Sequence, residues 1–337
     1  MIEAHTLDAW TRAADRDTTF YGYAVIVGGF AAPLFLWLAG VGVALSAART
    51  ASRTGSRAAA ARAVCERGLQ IFVLAFLFRL QAFIVSPGSH PVMIFRVDVL
   101  NVMGLAVVAA GLAWAAAAAG AGRFTLFALL ATIVAMATPI VRSLSAIAML
   151  PIWIQWYLRP AGEFTTFTLF PWSGFVFAGA AMGVLIHARQ DRKLHLKIAA
   201  AGFVLVAAAY LASTRPTIYT VPSSFWTSSP AWFAMRTGIL IAAVSALELL
   251  GRVRASGTVW RAPLATLGRA SLFVYWIHVE LVYGYASWLW RRQLPLWGTA
   301  LGATAFAGLM YAVVMARNRY VAARVGRFPQ PASLSQA

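Results

Sequence analysis

The sequence predicts an all-α fold, a polytopic transmembrane helix bundle of about nine spans. Three observations carry that prediction. Of 337 residues, 61% are hydrophobic and only 11% charged, against roughly a quarter charged in soluble domains. The apolar residues gather into runs of around 20, the length an α-helix needs to cross a hydrocarbon core of about 30 Å. The basic residues fall in the gaps between the runs and alternate from rich to poor, as expected when cytoplasmic loops retain Lys and Arg.

In chain order the runs lie near 20–47, 68–86, 98–119, 124–140, 166–187, 198–213, 231–250, 264–288 and 295–316. Residues 142–160, RSLSAIAMLPIWIQWYLRP, are aromatic and bounded by proline, which suits an interfacial or re-entrant piece better than a full span, with a tenth span there as the alternative. The Ala-rich stretch AVVAAGLAWAAAAAGAG reads as a helix that packs closely, since small side chains let membrane helices approach. Residues 1–325 read as one transmembrane domain. Residues 326–337 form a polar, proline-containing tail that reads as disordered and cytoplasmic.

Nine spans make the gaps alternate between the two sides of the membrane. One side collects Arg49, Arg53, Arg57, Arg62 and Arg67, then Arg123, then Arg189, Arg192, Lys193 and Lys197, then Arg252, Arg254 and Arg261, then Arg317, Arg319, Arg324 and Arg327. The other collects Arg12, Arg16, Arg142, Arg159, Arg215, Arg291 and Arg292. The asymmetry places 48–67 and the C-terminus in the cytoplasm and residues 1–19 outside. MIEAHTLDAW reads like the exit of a membrane helix, so a preceding helix would bring the count to ten.

The net charge of +18 raises the question of a nucleic-acid partner, but the arginines form no basic stripe with aromatic spacing. The expected partner is membrane lipid, not nucleic acid. Cys65 is the single cysteine, which excludes an internal disulfide and a cysteine-based metal site. The five histidines show no HxxxH spacing, and neither GxxxxGK[ST] nor GxSxG occurs, so zinc, P-loop and lipase chemistry have no motif here.

Polar groups inside apolar runs cost a few kcal/mol on insertion scales and are therefore functional candidates. Arg79 lies in FVLAFLFRLQAFIV, Arg96 and Asp98 open the third run with Asn101 close behind, Arg236 sits early in AWFAMRTGIL, and His278 and Glu280 lie in SLFVYWIHVELVYG. Asp98 and Asn101, three apart, share a helix face, whereas Arg96 and Asp98 do not. Asp98 thus calls for a partner on another helix, and Arg79 or Arg236 can supply it; such a pair can also do no more than join helices. His278 is a candidate to accept and return a proton near neutral pH, with a packed core histidine as the plainer reading. His5, in HTLDAW, is either a solvated side chain or a base at the outer surface.

Four stretches, MIEAHTLDAW, PLFLWLAGVGVALSAAR, VDVLNVMGL with FPWSGFVFAGAAMG, and LGRASLFVYWIHVELVYG, together resemble the heparan-alpha-glucosaminide N-acetyltransferase-like family of multi-pass membrane acyltransferases. The resemblance implies transfer of an acetyl or acyl group from cytoplasmic acetyl-CoA to a sugar or glycan acceptor on the far side of a cell membrane, with no metal. It implies catalytic roles for His5, His278, Asp98 and Asn101, His5 deprotonating the acceptor and the others guiding the thioester. It also implies that arginines, Arg79, Arg96, Arg236 and Arg269 among them, bind the coenzyme. A transporter or flippase, marked by broken helices and repeat symmetry, and a noncatalytic membrane protein are the rival readings.

Overall fold

The computed structural model describes residues 1–85, 90–188, 191–253 and 261–325. The chain is 82% helical with no strands among them. The helices are α1 Ile2–Trp10, α2 Thr19–Gly28, α3 Ala31–Thr54, α4 Arg57–Val85, α5 Val99–Ala116, α6 Ala121–Ser143, α7 Ile152–Leu158, α8 Leu169–Ala188, α9 Arg192–Ser213, α10 Pro230–Val253, α11 Arg261–Arg269, α12 Ser271–Tyr283 and α13 Leu296–Val325. Eight helical stretches among the described residues are long and apolar enough to cross a membrane. Exposed Val73, Ile133, Phe203 and Leu301 leave these helices apolar on their outer faces, as a bilayer solvent requires. The chain is a polytopic helical membrane protein.

The expected span at 264–288 differs. It is two helices, α11 and α12, interrupted at Ala270, whose φ of -101° and ψ of 18° leave the helical region. Thirteen residues of α12 rise only about 20 Å, short of a full crossing. The run at 20–47 is also divided, into α2 and α3. Residues 142–160 hold a 3-10 turn at Ser145–Met149 and the short α7, neither long enough to span. The proposed tail 326–337 lies outside the described residues.

The chain divides into two compact units, Phe30–Ala255 and Met1–Gly29 with Ser256–Ala337. In the first, three helix pairs approach through glycine. A Cβ on Gly40 of α3 would strike the Val176 carbonyl of α8, and one on Gly179 the Trp37 carbonyl, so these parallel helices are in backbone contact. Antiparallel α4 and α5 meet at Gly68 and Gly104, where an added Cβ would lie 2.8 Å from the facing backbone. Gly202 of α9 and Gly238 of α10 repeat the arrangement. Between membrane helices there is no hydrophobic drive, and close van der Waals packing takes its place. Helix ends are set locally: Gly55, at φ 68°, terminates α3 in the left-handed region that favours glycine, and Asp191 caps α9 through the Leu194 amide at 2.6 Å.

In the second unit, α1 is stitched to residues 292–296. Arg292 N donates to Ala9 O at 3.0 Å, Leu294 N to Trp10 O at 3.0 Å, and Arg12 N to Leu294 O at 2.9 Å. Asp15 Oδ2 accepts from the Leu296 amide at the head of α13 at 2.7 Å, which holds its carboxyl below the usual carboxylate range. Trp10 packs on Val282 and Phe306, and its indole Nε1 donates to the Val282 carbonyl at 3.4 Å. A helix of nine residues is too short to be stable alone. These contacts set its register against α12 and α13.

Candidate functional site

The register of α1 brings His5 to His278 on α12. His5 Nδ1 and His278 Nε2 are 2.9 Å apart. The ring centroids are 5.0 Å apart and the planes differ by 16°, the arrangement of two imidazoles meeting edge to edge through an N–H···N bond rather than stacking. His278 is 1% exposed, and its Nδ1 lies 2.7 Å from the Val274 carbonyl one turn back on the same helix.

These distances assign the protons. A carbonyl oxygen only accepts, so His278 Nδ1 carries a hydrogen and donates to Val274. In a neutral imidazole the other nitrogen is then an acceptor, so His278 Nε2 accepts from His5 Nδ1–H. That leaves the lone pair of the neutral His5 ring on Nε2. Neutrality follows from the surroundings: burial first, then the adjacent His278, holds the His5 imidazole far below its usual range, down to about 3.

Aromatic rings enclose the pair. Tyr275 meets His278 edge-on at 5.8 Å and His5 at 6.3 Å, and Tyr283 meets His5 at 5.6 Å. Tyr283 Oη donates to Asp8 Oδ2 at 2.8 Å, and the Arg16 guanidinium stands 4.0 Å from the other Asp8 oxygen. A cavity of about 260 Å³ on the neighbouring face of α1 is lined by Ala4, Leu7, Asp8, Tyr21 and Val25.

In the unit Phe30–Ala255, Asp98, Asn101 and Arg79 come together. Asp98 is the N-cap of α5: its Oδ1 accepts from the Leu100 amide at 2.9 Å, and Asn101 Oδ1 accepts from the Asp98 amide at 3.0 Å. This capping box satisfies donors that the first turn leaves unpaired. Asp98 Oδ2 lies 2.9 Å from Arg79 Nη2 on α4, so the cross-helix partner is Arg79 and not Arg236. Asn101 Nδ2 is buried, with the Tyr157 side chain as its polar neighbour.

The other arginines are placed separately. Arg96 reaches Thr166 Oγ1 through Nη2 at 2.9 Å and Nε at 3.2 Å. Arg236, 9% exposed, lies over the rings of Phe30 and Trp232 at 4.7 and 4.8 Å. Arg269 is exposed at the end of α11. Thus Arg79, Arg96 and Arg236 each have a partner within the protein. Among the described residues, no group of three or more His, Cys, Asp or Glu is placed to hold a metal ion.

Reading the residues missed Val274, Asp8 and Tyr283. The i−4 spacing of Val274 and His278 was the available signal for the first, since that carbonyl lies one turn behind the ring. Nothing local connects Asp8 with Tyr283.

Comparison with known proteins adds one match. Residues 1–223 fit the family model described as heparan-alpha-glucosaminide N-acetyltransferase, catalytic. The match includes His5, Arg79, Arg96, Asp98 and Asn101, and ends before Arg236, Arg269 and His278. No curated protein matches the chain significantly.

Proposed function

The chain belongs to the heparan-alpha-glucosaminide N-acetyltransferase family, a family of membrane acetyltransferases. From that premise we propose that it transfers an acetyl group from cytoplasmic acetyl-CoA to a sugar amine or hydroxyl on the external side, with His5 as the general base. The observation that carries this reading is the relay from His5 Nδ1 through His278 to the Val274 carbonyl. It aims an unprotonated Nε2 away from the relay.

The acceptor N–H or O–H gives its proton to His5 Nε2 as its nitrogen or oxygen attacks the thioester carbonyl. The carbon–sulfur bond breaks, the acetyl group stays on the acceptor, and the departing thiolate takes the proton back from His5 Nε2–H to leave as the free thiol, which restores the neutral base. His5 shares the new positive charge with His278, whose ring is already tied to a carbonyl dipole. A base whose pKa rests near 3 is fully unprotonated at neutral pH but a weak proton acceptor, so an approaching acceptor and anionic donor must raise it during the reaction. Asp8, held by Tyr283 and Arg16, lies one turn from His5 and faces the cavity through which a polar acceptor enters. Asp98 and Asn101 keep the end of α5 in place with Arg79.

The test is acetyl transfer from acetyl-CoA to glucosamine in reconstituted vesicles. His5→Ala should lose at least two orders of magnitude in kcat while still binding acetyl-CoA. Full activity in that variant would remove the histidine mechanism, and a wild-type protein that binds no acetyl-CoA would remove the acetyltransferase reading.

A further inference from the structure

Between α6, α8, α9 and α10 lies an apolar cavity of about 410 Å³ walled by small side chains, among them Ala131, Ala135, Ala178, Ala201 and Ala234. Its lining on α6 runs from Phe124 to Met136, about 18 Å at the rise of an α-helix. One leaflet of a bilayer core is about 15 Å deep. At the Met136 and Pro230 end it meets a second cavity, of about 360 Å³, that shares both residues and is more polar than the first, with Arg215, Thr217, Tyr219, Ser223 and Ser229 in its lining. The walling helices carry exposed Ile133, Phe203 and Val204, so the surface onto which the groove opens is the lipid-facing one.

One polar atom in the apolar part has no assignment. Thr237, 6% exposed, lines the groove, and its hydroxyl makes no hydrogen bond among the described residues. A threonine in a membrane helix ordinarily returns its hydroxyl to a carbonyl on its own helix, as Thr138 does to Val134 at 2.7 Å. Thr237 lies seven residues beyond Pro230, about 10 Å below the mouth.

We propose that this groove is a binding site for a glycerophospholipid. One acyl chain fills the alanine-walled channel, the phosphate meets Arg215 at the mouth, and the ester carbonyl accepts from Thr237. The charge at the mouth and the stranded donor each fit one part of that molecule, and the alanine-walled stretch below Thr237 takes the first part of the chain. A chain gains nothing hydrophobic by leaving bulk lipid for the groove, so retention rests on the charge-assisted bond to phosphate and the bond from Thr237. A free phosphate lacks the chain and a diacylglycerol lacks the charge. The inference is independent of the acetyltransferase reading, because none of these residues belongs to the histidine relay.

The experiment titrates the full chain in dodecyl maltoside with palmitoyl-oleoyl-phosphatidylglycerol, the matching diacylglycerol, and glycerophosphate, counting bound molecules by native mass spectrometry. The expected result is one phosphatidylglycerol per chain, binding at least tenfold weaker for diacylglycerol, and none for glycerophosphate. Ala201→Phe, which fills the channel, and Arg215→Gln should each weaken phosphatidylglycerol binding tenfold or more, with the thermal transition of the lipid-free protein kept. Should Ala201→Phe fail to fold, Thr237→Val removes the donor at nearly constant volume and is expected to weaken binding severalfold. Diacylglycerol bound as tightly as phosphatidylglycerol, or phosphatidylglycerol binding unchanged in the folded variants, would overturn the proposal.

Discussion

Replacing His278 by alanine tests the relay most directly. The imidazole is 1% exposed and both its ring nitrogens are engaged, so alanine removes two hydrogen bonds and leaves His5 Nδ1–H without an acceptor. A stranded donor in such a place costs about 1–3 kcal/mol, and the vacated ring volume raises the expected loss of stability to about 2–4 kcal/mol. The larger consequence is for the base. With no acceptor at Nδ1, the two neutral tautomers of His5 become comparable and the ring is free to turn, so the fraction presenting an unprotonated Nε2 falls. Loss of a group that orients a catalytic histidine lowers kcat by up to about 10⁴-fold in serine proteases, and we expect about 10²–10⁴-fold here. His278→Gln supplies the contrast, because its terminal amide oxygen lies near the former Nε2 and can accept from His5. It should keep kcat within about tenfold of wild type, with KM for acetyl-CoA unchanged in both variants. Acetyl transfer in vesicles gives kcat and KM, and a thermal melt separates folding from chemistry. Equal rates for the alanine and glutamine variants would refute the tautomer argument, since a merely packed histidine tolerates or resists both alike.

Asp98 supports two separable contributions. Asp98→Asn keeps a good N-cap but strands Arg79, and should cost about 3–5 kcal/mol in detergent thermal unfolding; Asp98→Ala should cost about 1 kcal/mol more through the lost cap, and identical losses would mean that the cap carries nothing. The lowered pKa of His5 predicts acid sensitivity. Burial disfavours the charged ring and holds the folded value, about 3, below the unfolded 6.5, so folding stability is unaffected above pH 6.5 and falls as pH drops toward 3. His5→Asn should flatten the stability curve in that window, and an unchanged curve would refute the shift. Sidedness follows from cysteine labelling in a Cys65→Ala background: Ser56→Cys should react only from the cytoplasmic side and Ser223→Cys only from outside, whereas reaction from one common side would overturn the topology.

Most of the helices could be read from the linear chain because the bilayer is a uniform solvent that marks each crossing with a local signal. Twenty apolar residues with arginine at the ends announce a span whatever the span packs against. Residues 142–160 were likewise legible as something other than a crossing, since proline and aromatic residues interrupt the run. The same local signal misled at 264–288, where composition is apolar throughout but the backbone turns at Ala270. Hydropathy does not register one residue leaving the helical region. The candidates His278 and Asp98 also stood out alone, because polar groups are costly in that setting wherever their partners lie, whereas His5 stood out only by its place in HTLDAW.

Partnership was decided only by the tertiary structure. Arg79 and Arg236 were equal candidates for Asp98 from composition; antiparallel packing of α4 on α5 through Gly68 and Gly104 brings Arg79 to the carboxylate, and Arg236 instead rests on Phe30 and Trp232. His5 and His278 are 273 residues apart, and no spacing rule joins them. Their bond depends on backbone contacts near Trp10 and Leu294 that set the register of a nine-residue helix. Which histidine offers a lone pair depends on one carbonyl, Val274. A sequence states which groups are expensive to bury, whereas geometry alone states what each is buried against, because hydrogen bonds and ion pairs act over about 3 Å and the chain's own spacing does not encode that distance.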